Sequence, residues 1–76
     1  MGMMVAARRI EDSADEVRYA FGFEGRFNRI LVLDPQTLRA RVEDGDFNDA
    51  ASAITATIVN AWRGRGYFPE RVLFAS

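Results

Sequence analysis

Seventy-six residues with eleven acidic and ten basic side chains, a net charge of -1, 49% hydrophobic content and neither cysteine nor histidine fit one small globular domain, residues 1 to 76. These totals exclude disulfides, thiol or imidazole chemistry, and a global field able to gather nucleic acid or an anionic membrane. A chain this short buries only about 60% of the surface its unfolded form exposes, and with disulfides and the common metal ligands gone, oligomerisation is the remaining supplement to its core.

Residues 4 to 11, MVAARRIE, read as a first strand in which Val5 and Ala7 alternate with Ala6 and Arg8 before the pattern blurs. A polar turn at residues 12 to 15 follows. VRYAFGFE then alternates cleanly, with Val17, Tyr19, Phe21 and Phe23 on one face and Arg18, Ala20, Gly22 and Glu24 on the other. Glu24, Gly25 and Arg26 make a short connector with the glycine that a positive φ favours. In FNRILVLD the apolar residues Ile30, Leu31, Val32 and Leu33 are consecutive, so they point to both sides of a sheet and call for cover on both faces. Asp34 and Pro35 end that strand, and residues 37 to 43, TLRARVE, alternate again with Leu38, Ala40 and Val42 inward.

The period changes over residues 46 to 63. Phe47, Ala50, Ala51, Ile54, Ile58, Ala61 and Trp62 fall within an arc of about 120° at roughly 100° per residue, which predicts an amphipathic helix. Asp44 or Asp46 is expected to cap it, with Gly64 and Gly66 as stop signals. RVLFAS supplies a final strand. The expected fold is α+β, a two-layer sandwich in which an antiparallel sheet of about five strands, in the order β-β-β-β-α-β, carries one long helix on one face. This run of strands followed by a helix and a strand resembles small antitoxins of the HicB type, although no motif accompanies the shared order.

Four functional patterns can be weighed against simpler ones. Aromatics on the strand around Tyr19 and Phe21 have the flavour of an RNA-recognition sheet, but the glycine after the basic residue is missing and the element order differs, so core is the preferred reading. Asp44, Asp46 and Asn48 alternate as at the start of a calcium loop, yet Asp49 and Thr55 stand where glycine and a bidentate glutamate belong, so a turn and helix cap are preferred to a metal. Arg26, Arg29, Arg39 and Arg41 are candidates for anion or nucleic-acid contact if they converge on one sheet surface, and ordinary ion pairing is the simpler role. Trp62, Tyr67 and Phe68 are the remaining candidates, for a ligand pocket.

Catalysis is not expected, because the usual general base and the thiol and amine nucleophiles are missing and no base accompanies Ser13, Ser52 or Ser76. All ten basic residues are arginine, as in proteins from GC-rich bacterial genomes. Met1 to Met4 is too short and too weakly charged for a signal peptide, and no apolar run approaches the ~20 residues that span a bilayer, so the cytoplasm is the expected location. No cofactor or metal is expected.

The helix points to a partner. Residues 50 to 62, AASAITATIVNAW, carry no charge, and the small side chains of Ala53, Ala56 and Asn60 on the back would let another backbone approach. Ile30 and Val32 need cover from outside the single helix. The expected function is therefore a non-enzymatic interaction or regulatory module acting as a homodimer, of accessory, immunity or antitoxin-like kind, contacting its partner through Ala53, Ala56, Asn60, Ile30 and Val32. Another protein as partner, and nucleic acid bound by sheet arginines, are the alternatives.

Overall fold

The computed structural model describes residues 2 to 76; Met1, part of the stretch read above as too short for a leader, lies outside them. Five strands and one helix occur in the expected order: β1 (Met4–Asp12), β2 (Val17–Phe23), β3 (Arg29–Leu33), β4 (Ala40–Val42), α1 (Asp49–Arg65) and β5 (Arg71–Ala75). The sheet runs β4-β3-β2-β1-β5 and every neighbouring pair is antiparallel. This is the α+β fold the sequence predicts. The long connection through α1 carries the chain from one edge of the sheet to the other.

Alternation sets the inner face. Val5 and Ala7, then Val17, Tyr19 and Phe21, then Leu31 and Leu33, then Val42 are all buried, beneath Ala50, Ala51, Ile54 and Ile58 of the helix. Helix α1 packs chiefly against β5 and β1. The blurred end of the first strand has a cause: the register with β2 shifts between Arg9 and Glu11, so Ile10 is the extra residue of a bulge and lies half-exposed.

Three predicted boundaries move. The strand expected over residues 37 to 43 shrinks to three residues, because Asp34 Oδ1 accepts from the amides of Gln36 and Thr37 and Leu38 takes a left-handed φ of 63°. Leu38 and Ala40 still pack against the core and Val42 is within it, so the inward set is as predicted. The helix starts at Asp49 and is capped by Asn48, not by Asp44 or Asp46, and its C-cap is Gly66 at φ 81°. Phe47 therefore precedes the helix and is 47% exposed instead of joining the inward arc, since the arc held only if residues 46 to 48 were helical. Phe23 is 48% exposed as well, because pairing between β2 and β3 ends at Phe21 and leaves its ring with a strand on one side alone.

Candidate functional site

The aromatic face of β2 is core. Tyr19 and Phe21 have no solvent exposure, so their rings are closed to bases or ligands. The Tyr19 hydroxyl donates to the carbonyl of Pro69, and Arg9 Nη1 donates to the carbonyl of Phe68 at 2.6 Å. Two donors thus clamp the segment that leads into β5. Burial pushes the Tyr19 phenol up to about 12, partly offset by the positive charge of Arg9. Trp62 and Phe68 stack on each other with centroids 5.9 Å apart, while Tyr67 is exposed, so two of the three candidate pocket residues are spent on packing.

Asp44, Asp46 and Asn48 do gather, but around an arginine. Arg29 donates from Nε and Nη2 to the two Asp44 carboxylate oxygens at 2.7 and 3.1 Å, from Nη2 also to the Asp46 carbonyl, and from Nη1 to Asn48 Oδ1 at 3.0 Å. The same Asn48 oxygen accepts from Ala51 N, which ties the clasp to the helix N-terminus. The guanidinium also sits 4.8 Å from the centroid of the Phe21 ring. Bonding to Arg29 holds the Asp44 carboxyl below the usual carboxylate range, and bonding to Asp44 raises Arg29.

The outer face of the sheet has two unlike halves. Around Val32, Arg18 meets Glu16 at 2.9 Å and Glu11 at 3.8 Å and bonds Glu43, while Arg41 lies 3.8 Å from Glu16. Arg18 and Arg41 flank Val32 in the ladder. Their stems and the acids leave Val32 only 5% exposed and Ile30 half-buried, so the cover expected from a second chain over Val32 comes from this one. The other half holds Ala6, Ala20, Gly22 and Leu73, with the connector after β2 folded back over it. A side chain at Gly22 would start 1.7 Å from the Arg26 carbonyl, which is why a glycine interrupts this strand. That mid-strand glycine was the available signal for the fold-back, which strand patterning missed.

The four candidate arginines do not converge. Arg26 and Arg29 border a depression with Asn28, Asp46 and Asn48, whereas Arg39 and Arg41 border another with Asp15, Glu16 and Asp34. Acids share both. The two sets of expected partner contacts are also separated, because α1 covers the inner face whereas Ile30 and Val32 lie on the outer one. On the helix, Ala56 and Asn60 are exposed and Ala53 is half-buried. Ser13 closes the turn before β2, accepting from Asp15 N and Glu16 N, and Ser76 Oγ accepts from Met3 N.

At the β5 edge, Arg9 N donates to Glu70 O and Ser76 N to Met3 O, which fixes the alternation. Residues 70, 72, 74 and 76 turn their backbone groups to β1; Arg71, Leu73 and Ala75 turn theirs outward, away from any other strand. Leu73 is 58% exposed. No helix among the described residues is long and apolar enough to cross a membrane. Comparison with protein-family models, with curated proteins and with solved structures finds no match to this chain, so the reading of its function rests on these surfaces.

Proposed function

We propose that the chain is a non-catalytic protein-interaction module, of accessory, immunity or antitoxin-like kind, that works in the cytoplasm as a homodimer joined through its β5 edges. The observation that carries this reading is the open β5 edge, with three residues presenting unpaired backbone groups and no acidic side chain along it. The edge is self-complementary. With a two-fold axis at Leu73, Leu73 opposes the second copy's Leu73 and Arg71 opposes its Ala75, so no like charges meet. Each of these pairs exchanges two backbone hydrogen bonds. On the inner face Val72 meets Phe74, apolar against apolar. Ala56 and Asn60 then remain free on each helix as the surface offered to a further protein.

Light scattering across a concentration series tests this. The expected mass is twice 8.6 kDa. Leu73→Pro removes an outward N–H without touching the ladder to β1, and should give a monomer with the wild-type circular dichroism. A wild-type chain that stays single at every concentration ends the proposal. Nucleic-acid binding is the weaker alternative, since Arg29 is engaged by Asp44 and Arg41 lies near Glu16; no salt-sensitive mobility shift with generic RNA or DNA is expected.

A further inference from the structure

Arg8 and Arg71 lie directly opposite each other on β1 and β5. Because the Arg71 backbone groups face outward, this is a pair without ladder hydrogen bonds, the arrangement that brings side chains closest. Like charges so placed destabilise a sheet. Ion pairs among the described residues engage Arg9, Arg18, Arg29 and Arg41, and none relieves these two. Phe27, carried by the folded-back connector, stands over Arg8 with its centroid 5.0 Å from the guanidinium carbon. Together with Ala6, Val72 and Leu73 these residues line a groove of about 420 Å³ that no acidic side chain borders.

We propose that this groove binds a small monocarboxylate with an apolar body, of the fatty or aryl acid class. The carboxylate lies between Arg8 and Arg71, whose forked donors match its two oxygens, and relieves their mutual repulsion. The apolar body lies between Phe27 and Leu73 over Ala6. The volume fits a small molecule. Charge complementarity and the apolar walls select this class together: a bare anion gains nothing from the walls, and a neutral alkane or alcohol gains nothing from the arginines.

The test is a titration of the labelled full chain with octanoate, followed by amide chemical shifts, with acetate and octanol as the head-only and tail-only probes. Octanoate should give saturable shifts at Ala6, Arg8, Phe27 and Leu73, and the two partial probes should bind at least about tenfold more weakly. Arg8→Gln should weaken octanoate about tenfold while keeping or raising the melting temperature, because it removes a like-charge pair. Phe27→Ala, a change at a half-exposed ring, should weaken octanoate and leave acetate unchanged. Acetate or octanol binding as tightly as octanoate, or an absence of saturable shifts at the groove, overturns the inference. The groove shares Arg71 and Leu73 with the strand pairing proposed above but takes its ligand on the outer face of the sheet and not at the backbone edge. Light scattering on the same samples keeps the two distinguishable: a dimer that ignores octanoate defeats the groove alone.

Discussion

The β4 and β5 edges close the same sheet in opposite ways. β4 is three residues long, and its ladder turns only Ala40 and Val42 outward, because Asp34 N bonds Arg39 O and Glu43 N bonds Ile30 O. Turns end it on both sides, Arg39 and Arg41 flank Ala40, and Glu43 is held by Arg18. β5 runs five residues with an uncharged Val72-to-Ala75 stretch and three outward-facing backbone positions. Short length, charge and early turns are the usual devices that stop a strand edge from recruiting another. One edge has all of them and the other has only a single charge, Arg71 at its start, which is the asymmetry the proposed dimer requires.

Removing that asymmetry should have the largest effect. Arg41→Val combined with Glu43→Thr strips charge from β4 and frees Arg18 from one of its acids. A chain with two adhesive edges no longer closes as a pair, and assemblies larger than a dimer are expected, growing with concentration in light scattering. If the double variant stays dimeric, short length and the flanking turns are enough to protect β4.

The two edges are also anchored by different chemistry, and pH separates them. Near β5 the anchor is a buried neutral phenol. Tyr19→Phe leaves the Pro69 carbonyl without its donor and should cost about 1–3 kcal/mol in chemical denaturation. The unfolded tyrosine ionises from its ordinary value of 10.0, whereas the folded one resists until about 12, so the wild type loses stability as pH rises between those values and Tyr19→Phe should flatten that loss.

Near β4 the anchor is an ion pair. Asp44 is held below its ordinary value by Arg29, so its contribution is present above the unfolded carboxylate range and disappears as pH falls through the lower, folded value. Asp44→Asn should therefore be less stable than wild type at neutral pH and indistinguishable from it in acid. The Asp44 carboxylate is solvent-exposed, so this effect should be smaller than that at Tyr19.

Much of this contrast was legible in the sequence. Clean alternation from Val17 to Phe21 gave the inner face, and the change of period after residue 46 gave the helix. The consecutive run from Ile30 to Leu33 correctly signalled two covered faces but named the wrong cover. Arg18 and Arg41 reach Val32 through cross-strand register, which composition does not encode. Phe47 was misplaced for a similar reason: Asn48, not an aspartate before it, accepts from Ala51 N, and one cap residue decides whether three positions join the helix. The Arg8–Arg71 pair needs both β5 pairing and its register, and so lay beyond any local pattern.

A last substitution separates fold stability from edge behaviour. Thr55 lies on α1 with Oγ1 buried and without a hydrogen-bond partner among the described residues, an arrangement that carries desolvation cost with no compensating bond. Valine keeps the branched shape and removes the hydroxyl. Thr55→Val should raise stability by up to about 1 kcal/mol, read from the denaturation midpoint at unchanged slope. Because the residue lies on the helix and contributes no backbone group to either edge, the mass in solution, that of the proposed dimer, should not change. A gain in stability accompanied by a change in assembly would mean that the edges respond to the core, and that length and charge alone do not set their difference.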